Sequence, residues 1–257
     1  MADVVTETRD GIRFIRLNRP DQLNSTTTAM YRDIGLGVLD AISDPDVDVI
    51  VVTGTGRAFS TGGDLKEFLA LLDEPATLFA NYSKAYQIDA PFEILVTSPK
   101  PTICMANGIA CAGGLALLLS CDVTIAAESA RFGTPEGRIG LHDHYLPALL
   151  EWKVGLSRTL YLNLTAELIS AERAERWGLV HLVVPDAELL DRTMALARSI
   201  QSTAPEAQYG YKSRLLAKPP LLNDARPTVQ SATSAAAKEG IRAFLEKRPP
   251  SWVRNTG

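Results

Sequence analysis

The spacing of apolar residues changes several times along the chain, and each change marks an element. In "VVTETRDGIRFIRLNRP", residues 4–20, two short runs flank Asp10-Gly11, a pair suited to a tight hairpin turn, so two strands are expected. Next, Met30, Ile34, Val38 and Ile42 recur at every fourth position, with Tyr31 and Leu39 beside them, and predict an amphipathic helix. "VDVIVVTG", residues 47–54, is a continuous β-branched run, the pattern of a strand covered on both faces. Residues 65–97 have a helical pattern broken near Pro75 and Pro91. Buried strands are expected in "PTICMAN" and "DVTIAAE", a short one from Arg131-Phe132 and a last one in "VHLVV". "GGLALLLSC" opens as a helix straight after glycines, and from Asp186 onward the pattern is helical throughout. Strand and helix alternate over the first two-thirds and helices fill the last third. That order predicts an α/β domain followed by a helical module.

Composition narrows the class. The 257 residues are 46% hydrophobic and 22% charged, the balance of an ordinary globular chain. A net charge of −4 speaks against a nucleic-acid groove or an anionic membrane surface as partner. The longest apolar stretch, "GIACAGGLALLLSC", is shorter than the ~18 residues a membrane span needs, and "MADVVTETRD" has no apolar run of a secretion signal. Cys104, Cys111 and Cys121 are odd in number, form no CxxC and sit in apolar surroundings, as free thiols of a reducing compartment do. A cytoplasmic location is expected.

Two glycine-rich loops carry candidate chemistry: "AFSTGGDL", residues 58–65, after a buried strand, and "NGIACAGGLALLL", residues 107–119, where strand gives way to helix. Each can present a backbone N–H that no side chain shields. At a helix start that N–H is unpaired and lies at the positive end of the helix dipole. Two such donors meeting at one point would form an oxyanion hole; equally, the glycines can serve only tight turns and close packing. "GTGRAF" lacks the third glycine of a dinucleotide fingerprint, and there is no GxSxG or P-loop.

Taken together and in order, "LNRPDQLN", "AFSTGGDLKEF", "KPTICMANGIACAGGLALLLSCDVTIAAESARFGTPEGRIGL", "AERAERWGLVHLVVP" and "EGIRAFLEKRPP" resemble the crotonase superfamily, the enoyl-CoA hydratase/isomerase family. The resemblance implies an α/β spiral of repeated ββα turns over residues 1–190 and a helical trimerisation region over 191–257. It implies homotrimers, or hexamers made of two trimers, and a coenzyme A thioester as substrate, with no separate cofactor because CoA belongs to the substrate. By the same resemblance, Gly63 and Gly113 donate the oxyanion N–H bonds. Asp21, Gln22, Leu23, Thr61, Asp64, Leu65 and Pro135 match substrate-binding positions, as do Phe244 and Lys247, which often reach a neighbouring subunit's site. Read from the residues alone, Arg19, Lys66 and Lys247 are solvated surface charges.

Hydratases of the family use two glutamates. One position is Ala116 here, so that carboxylate is absent; the other matches Glu136. Hydration needs groups to activate water and to protonate C2, work that two carboxylates normally share. A Δ3→Δ2 double-bond shift needs one carboxylate, which takes a proton from C2 and returns it at C4. The place of the hydratase "PGxGG" reads "HDHYL", which also points to an isomerase. His144 or Asp143 could instead supply a second acid/base for a hydratase, lyase or hydrolase. Adjacent side chains do not generally converge, so His142, Asp143 and His144 are not expected all to face one point. A metal site would need a further ligand from His181 or scattered acids, and none is expected. A third reading is a CoA-thioester-binding or assembly subunit without turnover. Phe68, Leu69, Leu72, Phe79 and Tyr82 have the spacing of a helical core stripe or of an acyl-pocket wall.

Overall fold

The structure is a computed structural model that describes residues 2–72, 76, 91–143, 145–215 and 233–251. β1 (Val4–Arg9) and β2 (Ile12–Leu17) form the expected hairpin. Asp10 and Gly11 have φ of 52° and 74°, the left-handed pair that lets a two-residue turn follow the twist of its strands. β3 (Val49–Gly54), β5 (Thr102–Ala106), β7 (Val123–Ala127) and β10 (Leu182–Val184) join them as a six-stranded sheet in the order β1-β2-β3-β5-β7-β10, parallel from β2 onward. A second sheet has the order β4-β6-β8-β9, from β4 (Ala58–Ser60), β6 (Ile109–Cys111), β8 (Arg131–Gly133) and β9 (Ile169–Ser170). From β3 to β8 successive strands thus alternate between the large sheet and the small one.

The helices follow in chain order: α1 (Thr28–Ser43), α2 (Leu65–Leu71), α3 (Pro91–Thr97), α4 (Gly113–Ser120), α5 (Tyr145–Val154), α6 (Leu156–Thr165) and α7 (Ala171–Trp177). α8 (Leu189–Gln201), α9 (Pro205–Leu215) and α10 (Ala235–Leu245) complete the set described. Pro91 is the first described residue of α3.

The unbroken apolar runs have a two-sided explanation. Ile15, Leu17, Ile50, Val52, Cys104 and Ala106 face the main core with α1, α3 and α4. Their neighbours Ile12, Phe14, Val49, Val51, Ile103 and Met105 face the other way, onto Met194 and Ala197 of α8. A strand buried on both faces has no polar position to alternate with. All three cysteines are buried in this interior as free thiols. A small third cluster joins Phe68 and Leu72 to Ile241 of α10, with Leu69, Ile139, Leu141 and Leu245 against it. A Cβ on Gly240 would overlap the Ile139 carbonyl, so α10 lies close upon the 3-10 turn Pro135–Ile139. Phe79 and Tyr82 lie outside the described residues.

Candidate active site

Three neighbouring strand ends build the site. β4 pairs with β6 and β6 with β8, all parallel, so the chain leaves each at the same edge of the small sheet. Gly63 follows β4, Gly113 follows β6 and Glu136 follows β8, each two or three residues past the strand. Adjacent strands lie about 4.8 Å apart, so the three segments that carry these groups start side by side.

The direction of each N–H follows from its hydrogen-bonded neighbours. The Gly62 carbonyl accepts from Thr26 N at 2.7 Å and from Thr26 Oγ1 at 3.0 Å. In a trans peptide the next N–H points the opposite way, so the Gly63 N–H turns from Thr26 toward the cavity. A Cβ added at Gly63 would meet nothing within 4 Å, which shows open space there. Gly113 is the first residue of α4, where no intrahelical acceptor exists, and its preceding residue Ala112 has no side chain to cap it. The two loops touch: at Gly62, φ +86°, an added Cβ would come within 2.7 Å of Ala112 Cβ and 2.8 Å of Gly113 N. Ala112 itself is held at φ 52°, ψ −131°, a region that costs a non-glycine residue about 1–3 kcal/mol.

Both glycines and Glu136 line one cavity of about 780 Å³. Asp21, Gln22, Leu23, Thr61, Asp64, Leu65 and Pro135 share its wall, and so do Asp143 and Phe244. Lys247 is exposed and is not among the lining residues, and His144 lies outside the described residues. His142 and Asp143 are adjacent yet both line the cavity, because they sit in an irregular segment before α5 rather than in a regular helix or strand. Among the described residues no group of three or more His, Cys, Asp or Glu is placed to hold a metal ion. None of their helices is long and apolar enough to cross a membrane.

The carboxylates of the wall differ in what they already bind. Asp64 Oδ1 caps α2 through Lys66 N and Glu67 N, while its Oδ2 accepts from Arg19 at 3.0 Å. Burial pushes the Asp64 carboxyl up, but the Arg19 hydrogen bond and the two amides outweigh it, so the net shift is downward. Arg19 is therefore a half-buried structural cation, not the solvated charge that its residue type suggested. Glu67 Oε2 accepts from Thr28 N at the start of α1. Asp143 Oδ1 caps α5, accepting from Tyr145 N at 2.6 Å and Leu146 N at 2.9 Å. Glu136 Oε2, by contrast, is shut from solvent and has no hydrogen-bond partner. Burial, followed by the nearby Asp143 charge, raises its pKa from 4.5 to about 8, against a smaller downward pull from its own amide.

That shift has a thermodynamic sign. The unfolded chain releases this proton near pH 4.5, whereas the folded chain keeps it to about pH 8. Glu136 therefore erodes stability progressively as pH rises between those values. Glu136→Gln is expected to stabilise the fold by about 1–2 kcal/mol at pH 7.5 and by nearly nothing at pH 4.5, read from urea denaturation at both pH values.

Where the first glutamate of a hydratase would stand, Ala116 is 3% exposed and packed in the main core. Near it Tyr31, Phe92 and Tyr145 stack in series, with ring centroids 5.4 and 5.3 Å apart. The sequence placed Tyr31 on a plain helix face; the structure puts it in the cavity wall. Glu67 and Thr26 were also missed. For Thr26, the one available signal was a polar residue just before a predicted helix.

This topology, with two glycine loops and the unpartnered Glu136 lining one cavity, is that of a crotonase-type acyl-CoA enzyme. The chain belongs to the enoyl-CoA hydratase/isomerase family, whose model matches residues 7–255. It is 34% identical over 251 residues to the human "Enoyl-CoA hydratase domain-containing protein 3, mitochondrial", covering 95% of this chain and 81% of that one. Among solved structures it resembles a carnitinyl-CoA hydratase from Mycobacterium avium, with TM-score 0.81, 32% identity, and 97% and 98% of the two chains covered. An enoyl-CoA hydratase/isomerase from Mycobacterium paratuberculosis gives TM-score 0.85 at 25% identity, covering 93% of this chain and 97% of the other.

Proposed function

We propose that the protein isomerises 3-enoyl-CoA to 2-enoyl-CoA, with Glu136 as the only proton shuttle. The observation that supports this reading is the buried, uncommitted Glu136 Oε2 in a wall where Asp64, Glu67 and Asp143 already serve helix starts or Arg19 and Asp21 is exposed. The ionised carboxylate takes a proton from C2. The electron pair delocalises to the thioester oxygen, which accepts from the Gly63 and Gly113 N–H groups, giving a dienolate. The same carboxyl, now an acid, returns the proton at C4, leaving the double bond between C2 and C3. Removing one such donor typically costs about 3–4 kcal/mol of barrier. CoA is part of the substrate, and no step draws on a separate cofactor. Arg57, Lys66 and Arg138 at the cavity suit its phosphates. Association into trimers or hexamers, with residues 191–257 as the trimerising part, and a cytoplasmic location complete the proposal.

A second reading, hydration, has support from the words "hydratase" in the names of the relatives. It requires another acid/base, and His142 and Asp143 at the wall are the described candidates, with His144 beside them in sequence. The test offers purified protein 3-enoyl-CoA and 2-enoyl-CoA of several chain lengths. Isomerisation lost in Glu136→Ala but kept in His142→Ala and His144→Ala supports the first reading. Efficient hydration of 2-enoyl-CoA, lost in Glu136→Ala and in either histidine variant, sinks it in favour of the second. Thioester binding without turnover leaves a binding subunit.

A further inference from the structure

Behind each of the two glycine loops stands a side chain that neither the base nor the thioester chemistry uses. Thr26 is 2% exposed and gives both its N–H and its hydroxyl proton to the Gly62 carbonyl. That carbonyl belongs to the same peptide unit as the Gly63 N–H, so whatever holds the one aims the other. Behind the second loop stands Tyr31, which lines the same cavity. Tyr31 Oη also rests on Gly113, where an added Cβ would overlap it. The Tyr31 ring is held by Phe92, tilted at 50°. Burial first, and the acids nearby, keep the phenol protonated, against a downward pull from the Thr26 hydroxyl.

We propose that Thr26 and Tyr31 are positioning residues for the two oxyanion donors, Thr26 for Gly63 through the Gly62 carbonyl and Tyr31 for Gly113 by direct contact. The inference rests on the reading that these two N–H groups hold the thioester oxygen. A donor displaced from its place forfeits much of its effect, because a misplacement near 1 Å can cost about 10²-fold in rate.

The test compares wild type with Tyr31→Phe, Thr26→Ala and Thr26→Ser in two assays. In turnover of 3-enoyl-CoA, Tyr31→Phe and Thr26→Ala are each expected to lower kcat about 10–100-fold with KM little changed. The double variant should be worse than either single, since each residue holds a different donor, and Thr26→Ser should recover activity. In binding, a conjugated 2-enoyl thioester is used as a chromophore, and polarisation of its carbonyl shifts its absorption to the red. That shift should shrink in Tyr31→Phe and Thr26→Ala and return in Thr26→Ser. An undiminished shift and a kcat within about two-fold of wild type in both variants would overturn the inference alone. A wild type that binds the chromophore without any red shift overturns the oxyanion reading and this inference with it.

Discussion

Glu136→Gln is expected to lower isomerase kcat by about 10³–10⁴-fold while the Kd for an unreactive acyl-CoA changes less than about three-fold. The upper end of the usual range for acid/base catalysis applies because one carboxyl performs both proton transfers. Glutamine fills the same space, so binding survives while both transfers fail. The pH profile of the wild type gives an independent check. A base must be ionised, and burial holds the Glu136 carboxyl protonated up to about pH 8 in the free protein. kcat/KM should therefore climb tenfold per pH unit below that value and level off above it. A residue acting first as an acid gives the reverse slope. A flat profile between pH 6 and 9, or a Glu136→Gln variant retaining a tenth of the activity, would remove Glu136 from the centre of the mechanism.

The second large effect is expected from Gly113→Ala. The new methyl would overlap Tyr31 Oη, and the Tyr31 ring is braced against Phe92. The loop must yield, and the first N–H of α4 moves with it. A loss of about 10²–10³ in kcat is expected, the usual effect of removing one oxyanion donor. Gly63→Ala supplies the contrast. Its methyl meets nothing within 4 Å and its φ is not in the left-handed region, so the fold should accept it. Here the methyl enters space meant for ligand, and the change should fall mainly on KM. Steady-state kinetics of the two variants, with Tm as a folding control, distinguish a displaced donor from an obstructed cavity. Equal behaviour in both parameters would refute the distinction.

Much of this was legible in the sequence, and the exceptions have physical reasons. Local signals acted locally: Asp10-Gly11 makes its turn, the four-residue spacing of Met30, Ile34 and Val38 makes the buried face of α1, and the β-branched run of β3 is covered on both sides. The glycine loops were recognisable because few residues tolerate what they do. The partners that commit each acid could not be read in advance. Arg19 and Asp64 are 45 positions apart, and their pairing withdraws both from solvent. Asp143 looked like a candidate acid because its residue type is the same for a helix cap; its position three residues before Leu146 was the overlooked sign. Tyr31 had the spacing of core, and only the packing of α1 against the loop of Gly113 turns its hydroxyl toward chemistry.

The shared edge of β4, β6 and β8 also governs how such a protein can change. The interval between donors and base is a backbone ruler, graduated in hydrogen-bonded strands rather than in side-chain reach. Inserting or deleting one residue within any single turn would slide one group off the scale and leave the other two in register. Changes of length are therefore expected to be tolerated only outside these three turns.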